Sequence, residues 1–346
     1  MVASSAMWFE ADARIIPAHH QSALLIELAQ DRGTRSHRLL KHTSIFLEDL
    51  RQGQSWITPA QTLILIDNAR QGDRGHELSF LWGSRWYPGH YGAASTLLQH
   101  ATSLRDMLDA LVQYQALLLP LLAPRIVEDE RWCYLVWTDS VGAGALRPFL
   151  TEASMSAVVS LGNWLADTRL PWRFTFRDAP PAHREQYDVY FGERLRFSAA
   201  VDVMAIERRW LHETWRPGSD MVMAVARSET DAAMARLPAR RGFVSVLYQY
   251  LFDNSQRPLS LEWVAQEFGM SPATFKRKLK RHHTSFQRLL DEVRLHVSLY
   301  LIRVKGWRNE QVADYLNCQD PTNFRRAFKR WTGLTPAAYR SHILEV

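Results

Sequence analysis

Two blocks of cationic side chains recur at a fixed interval. Lys276, Arg277, Lys280 and Arg281 return 49 residues later as Arg325, Arg326, Lys329 and Arg330. Positions i, i+1, i+4 and i+5 share one side of a helix, so each block is a strip of positive charge. Such a strip does no covalent chemistry; it grips phosphate oxygens and donates hydrogen bonds to base edges in the major groove. On this reading Lys280, Arg281, Lys329 and Arg330 take phosphates. Ala273, Thr274, Lys276, Arg277, Thr322, Asn323, Arg325 and Arg326, nearer the helix starts, face bases. The distribution of charge agrees. Residues 1–240 hold 25 Lys/Arg against 27 Asp/Glu, whereas 241–346 hold 17 against 9. The net +6 of the chain conceals a C-terminal module of +8, the footprint of a polyanion binder.

Residue patterns for catalysis are missing. The 13 histidines are scattered, and neither His19-His20 nor His37/His42 has the i, i+4 spacing with an adjoining glutamate that a helical zinc site needs. No P-loop, Gly-x-Ser-x-Gly elbow or Gly-x-Gly-x-x-Gly occurs. Cys133 sits in an apolar strand pattern and reads as core rather than nucleophile. With Cys318 as the only other cysteine, a disulfide framework and a Cys-based zinc module are excluded. The expectation is a non-enzyme without cofactor or metal. The longest apolar run, Ala116–Ala123, contains Pro120 and falls far short of the roughly 20 residues of a membrane span. The N-terminus lacks the basic-then-apolar pattern of a signal peptide, so a cytoplasmic location is expected.

The elements that must carry the cationic strips can be read outward from them. At 346 residues, with 47% hydrophobic and 23% charged content, the chain suits two globular domains. Segment 227–242 is polar, rich in small residues and broken by Pro238, and reads as a linker or a short helix ending in one. Apolar residues at 243, 246, 247, 250 and 251 then mark a helix. An internal repeat follows. Val264-Ala265 through Phe268-Gly269-Met270-Ser271-Pro272 leads into Thr274–Arg281, and Val312-Ala313 through Leu316-Asn317-Cys318 and Asp320-Pro321 leads into Asn323–Arg330. Each copy reads as helix, tight turn, helix. Gly269 and Asn317 are the residue types that best tolerate a left-handed turn. Ser271-Pro272 and Asp320-Pro321 supply a capping side chain and a proline at the first helical position. Phe275 and Leu279, like Phe324 and Phe328, stand four apart and turn inward. Between the copies, apolar positions from 286 to 304 keep helical period. A helix over Gln287–Val304 is about 27 Å long at 1.5 Å per residue, a size that can hold two reading helices near the ~34–36 Å separating successive major-groove faces.

At residues 243–341 the chain resembles the AraC/XylS family of transcriptional regulators. Both helix-turn-helix units match, and the run from Asp320 through Phe324, Phe328, Trp331, Gly333, Pro336 and Tyr339 to Arg340 is close to the family signature. The N-terminal region shows helical patterns over His20–Gln30 and Thr102–Leu119. Strand patterns cover Arg131–Trp137, Trp172–Arg177, Arg194–Ser198 and Val203–Ile206, a mixture that reads as α+β. Tyr87-Pro-Gly-His-Tyr91-Gly92, the run Leu104–Tyr114, and Ala179–Tyr187 with Phe191-Gly192 and Arg196-Phe197 resemble the arabinose-binding-domain-like sensor of one branch of that family.

The resemblance implies an α+β sensor and dimerisation domain at 1–226, a linker at 227–242, and at 243–341 an all-α domain of two helix-turn-helix units joined by a long helix. The motifs fall at about 261–282 and 309–331. It also implies a sequence-specific DNA-binding regulator modulated by a small-molecule effector. Double-stranded DNA, that effector, a second copy of the chain and RNA polymerase are the partners. Trp82, Trp86, Tyr87, Tyr91, Trp132 and Trp137 lie in or beside the sensor-like segments, and His90, Arg147 and Arg173 are the cations that can anchor an anionic effector. Aromatic residues with a few polar groups line ligand cavities, though they also build cores. A non-sequence-specific architectural DNA binder is the alternative that the basic module leaves open.

Overall fold

Strand alternation organises the N-terminal half. The computed structural model describes residues 8–343 apart from 74, 216, 217 and 319. A short ladder pairs β1 (Ile16–Pro17) with β2 (Trp56–Ile57). The main sheet has the order β3 (Leu122–Glu128), β4 (Trp132–Asp139), β7 (Val203–Glu207), β5 (Arg173–Thr175), β6 (Leu195–Arg196), with only the β5–β6 pair parallel. Its register sorts side chains onto two faces, because neighbours across a ladder share a face and successive residues alternate. Leu135, opposite Ile126 and Met204, and Cys133, opposite Ile206, belong to the inner face, and Leu135, Cys133, Met204 and Ile206 are buried in the sensor core. The outer face is built from Arg125 and Val127, Tyr134 and Val136, Val203 and Ala205, Arg173 and Thr175.

Several elements depart from the sequence expectation. Strand β3 was not anticipated; it contains Pro124, which has no N–H to give a ladder, and the sheet accepts it because β3 is an edge strand. The helix expected over Thr102–Leu119 runs over Leu104–Gln113, capped by Ser103, and resumes as Gln115–Leu118. Tyr114 interrupts it, and its hydroxyl donates to Asp231 at 3.0 Å. Most of the expected linker is helical, since a helix spans Asp220–Arg236. Ala226, Thr230 and Met234 stand four apart and are buried, giving this polar, alanine-rich segment one docking stripe against Ala93–Gln99. Only Leu237–Gly242 separates it from the next helix. The helix Arg147–Ala166 is buried along most of its length and packs on Leu78–Ser84.

From residue 243 onward the regular elements are all helices: Phe243–Asp253, Leu261–Glu267, Pro272–Arg281, Phe286–Arg303, Asn309–Tyr315, Pro321–Thr332 and Pro336–Ile343. Its core is a separate cluster centred on Phe243, Phe268, Phe275, Phe324 and Phe328. Trp8, from the far end of the chain, is part of this second core, 5.7 Å from Phe243 and 5.6 Å from Phe268 between ring centroids. Phe9 is pinned beside it by backbone hydrogen bonds to Arg241 and from Phe243. Among the described residues no helix is long and apolar enough to cross a membrane.

Candidate nucleic-acid interface and effector region

Each reading helix is started by its own cap. The Ser271 hydroxyl accepts from the Thr274 N–H, and the Asp320 carboxylate accepts from the Asn323 N–H at 2.8 Å. That hydrogen bond holds the Asp320 carboxyl below its usual range. The preceding turns need positive φ, and Gly269 (φ 67°) and Asn317 (φ 52°) provide it. Phe275 with Leu279, and Phe324 with Phe328, are buried beneath. The other side of each helix then faces outward by geometry alone. Ala273, Lys276, Arg277, Lys280 and Arg281 are exposed and Thr274 is half-buried; Thr322, Asn323, Arg325, Arg326, Lys329 and Arg330 are all exposed.

The cations are not equally available. Arg281 pairs with Asp12 at 3.1 Å, and Arg330 with Asp291 at 3.3 Å. Among the described residues, Lys276, Arg277, Lys280, Arg325, Arg326 and Lys329 have no carboxylate partner within ion-pair distance, so their charge is open to phosphate. The spare cation of the first helix, Lys278, points the other way. It hydrogen-bonds Glu10 and lies 4.9 Å from the centroid of the Phe243 ring. His282, just past the helix, joins the Val141 carbonyl (Nδ1, 2.8 Å) to Glu10 (Nε2, 3.0 Å). Burial by itself raises the Glu10 pKa, but hydrogen bonds from His282, Lys278 and Trp8 overrule it and hold Glu10 at about 2. Beside His282 the sensor backbone comes so close that a Cβ on Gly142 would lie 2.1 Å from the His282 carbonyl oxygen.

The expected effector contacts do not form one group. Trp82, Trp86, Tyr87 and Tyr91 make a buried aromatic cluster, with Trp82–Trp86 centroids 4.8 Å apart and Tyr87–Tyr91 5.5 Å apart. The Trp82 indole donates to the Gln21 carbonyl and the Tyr87 hydroxyl to the Leu118 carbonyl, whereas the Trp86 indole N–H is buried with no hydrogen-bond partner among the described residues. His90 is exposed. Trp137 is buried, and so is Trp132, which lies under the Arg173 guanidinium at 4.7 Å. Arg147 is taken up by Glu292 (2.9 Å) and Asp202 (3.4 Å). Of these nine residues, only Arg173 lines the well-formed cavity, which lies between the outer face of the sheet and the C-terminal helices. Arg125, Tyr134, Tyr248 and His296 also line it and were missed by sequence reading; the one available signal was a cation, Arg125, alternating with apolar residues in a strand.

With two capped helix-turn-helix units in place, the comparison with known families is decisive. The family described as the arabinose-binding domain of AraC transcription regulators, N-terminal, matches residues 33–214, more than half of the chain. This chain belongs to the AraC family of transcription regulators. A helix-turn-helix domain family matches 264–342 of the same AraC-type regulator. The ornithine utilization regulator of Pseudomonas aeruginosa is 24% identical over 331 residues, 95% of this chain and 97% of its own length. An uncharacterized HTH-type transcriptional regulator of Mycobacterium tuberculosis is 24% identical over 330 residues, covering 92% of this chain and 95% of its own. The crystal structure of the transcriptional regulator CdpR from Pseudomonas aeruginosa superimposes with a TM-score of 0.45 at 19% identity, over 93% of this chain and 98% of that one. These relatives are regulators, not enzymes. The AraC-type regulator described here is therefore a DNA-binding transcription regulator with an α+β sensor domain of the kind that receives a small-molecule effector.

Proposed function

We propose that the regulator reads DNA with both helices at once. Thr274, Lys276 and Arg277 of the first, and Thr322, Asn323, Arg325 and Arg326 of the second, face bases, with Ala273 offering an apolar contact to a thymine methyl. Lys280, Arg281, Lys329 and Arg330 hold phosphates. The observation that carries this reading is the pair of cap-started helices, each with a buried Phe-anchored stripe and an outward cationic strip. Arg281 and Arg330 exchange their carboxylate partners for phosphate on binding. Replacing Arg326 with alanine costs about 1–3 kcal/mol of operator affinity and relaxes preference at one base position. Thr274→Ala and Asn323→Ala, profiled against a randomised operator library, should each change the preferred sequence in one half of the site. Uniform weakening of all sequences by both variants would return these side chains to a positioning role. Broad, featureless occupancy across a genome would favour the architectural binder instead.

On this reading 243–341 is the reading domain, and the sensor domain takes in helix Asp220–Arg236 as well, since Met234, Leu237 and Ala239 are part of the N-terminal core. Helix Asp220–Arg236 leaves Met221, Val222 and Val225 exposed, which supports a homodimer, and RNA polymerase is a further partner for a regulator of this kind. A cytoplasmic location fits a DNA-binding regulator in which, among the described residues, no helix is long and apolar enough to cross a membrane.

A further inference from the structure

The outer face of the sheet and the C-terminal helices do not close fully on each other. Between them lies a cavity of about 290 Å³, near the lower end of the size range of small-ligand sites. Val127, Val136 and Val203 of the sheet form one wall; Phe252, Leu299 and Tyr300 of helices Phe243–Asp253 and Phe286–Arg303 form the other. The sensor and the reading domain thus each supply one side of a mainly apolar hole.

Two arginines enter this hole without an anion. Arg125 is fixed in place by Thr138 (Nε to Oγ1, 3.3 Å) and Gln249, and its guanidinium lies 4.4 Å from the Tyr248 ring centroid. Among the described residues no carboxylate pairs with it, and burial lowers its pKa from the usual arginine value. Arg173, which rests on Trp132, has a buried Nε with no hydrogen-bond partner and no carboxylate either. The third cation, Arg303, is already engaged by Asp129 at 3.6 Å and the Tyr134 hydroxyl at 3.0 Å. Strands β3 and β5 are three ladder spacings apart in the sheet order, roughly 14 Å, so the two unpaired arginines mark opposite sides of an apolar floor. Both arginines are half-buried; a cation partly withdrawn from water without a counter-charge is unfavourable, and an anion entering the cavity with an apolar body relieves it.

We propose that this junction cavity is a binding site for a small amphipathic carboxylate, its head paired with Arg125 and its hydrocarbon or aryl body lying along the valine floor toward Arg173. Such a ligand touches sensor strands and reading-domain helices simultaneously. Its binding therefore depends on how the two domains are set against each other, and reciprocally biases that setting. This consequence rests on the reading of the chain as an effector-modulated regulator; occupancy of the cavity does not.

Calorimetric titration of the full-length protein tests occupancy, with octanoate and 3-phenylpropanoate as alkyl and aryl carboxylates and 1-octanol as the uncharged counterpart. The expected result is binding of at least one carboxylate, weakened about tenfold or more in Arg125→Gln, as loss of a charge-assisted contact predicts. Octanol binding is unaffected by the same substitution. Whichever acid binds identifies the body the site prefers. Ala205→Phe, which fills the cavity floor without touching Arg125, abolishes binding of both acids and of the alcohol. Absence of carboxylate binding by the folded protein up to millimolar concentration overturns the proposal, as does binding unchanged in both variants. Operator affinity, measured separately with and without the bound acid, distinguishes the two ideas. Binding without any change in operator affinity removes the effector reading and leaves the site intact.

Discussion

Glu152 is a carboxyl whose protonation burial controls. It lies inside helix Arg147–Ala166, accepting hydrogen bonds from the Ser79 hydroxyl (2.6 Å) and the Tyr187 hydroxyl. Burial pushes its pKa up to about 6 in spite of those two donors. A carboxyl raised in the folded state contributes stability that is complete below its unfolded pKa and is lost as pH rises through the folded value. From below pH 4.5 to above pH 6 the wild type should lose about 2 kcal/mol that a neutral side chain would keep, since one pKa unit is worth about 1.4 kcal/mol. Glu152→Gln isolates this term. The stability of the variant relative to wild type, from urea unfolding, should climb across pH 4.5–6 and level off above it, whatever the absolute offset from altered hydrogen bonds. Parallel curves would mean that Glu152 titrates as it does in the unfolded chain.

At the scale of elements, what the sequence made legible was local. The reading helices could be placed because cap, proline and the four-residue spacing of Phe324 and Phe328 all lie within a dozen positions, and Asn317 adopts the left-handed turn its type suggests. Burial that depends on distant partners was not legible. Trp82 looks the same in sequence whether it lines a pocket or, as here, donates to Gln21 from within a packed cluster. Arg147 looks like a free cation until Glu292, 145 residues away, is brought against it. The cavity needs Arg125 from a strand and Tyr248 from a helix, and no local pattern links them. The full length of helix Asp220–Arg236 was not legible because its inner stripe, Ala226, Thr230 and Met234, is short and small-sided. Its outer side is the more informative one. Met221 is 81% exposed, with Val225 near it one turn on, an apolar strip that a second copy of the helix can cover. Met221→Glu with Val225→Glu should shift the full chain from dimer to monomer in sedimentation at micromolar concentration while leaving its unfolding midpoint largely unchanged. A wild-type monomer under those conditions would remove the homodimer.

Across the whole molecule, sensor and reading domain meet through charge as well as shape. Arg147 opens a sensor helix, Glu292 lies on the helix connecting the two reading units, and their side chains are each only 14% exposed. Burial alone raises the Glu292 pKa, but Arg147, His296 and Arg177 overrule it and hold the carboxyl at about 2. A depressed carboxylate contributes stability that is present above its unfolded pKa and is lost as pH falls through the folded value. The junction should therefore weaken between about pH 4.5 and 2. Removing one partner is worse than removing both. Arg147→Ala leaves Glu292 buried with Arg177 at 3.7 Å as its remaining arginine, and losses of about 3–5 kcal/mol are usual for such a stranded charge. Arg147→Met with Glu292→Leu replaces the pair by apolar side chains of similar bulk, leaves Asp202 with the Arg177 N–H at 2.9 Å, and should recover part of that loss. Urea unfolding of the two single variants and the double variant measures the coupling. Simple additivity of the single losses would show that the two side chains do not act on each other. With strong coupling, the double variant keeps the domains together while losing the part of the acid sensitivity below pH 4.5 that Glu292 contributes, the part due to Glu10 remaining. It then shows whether operator binding depends on the charge at the junction or only on the contact.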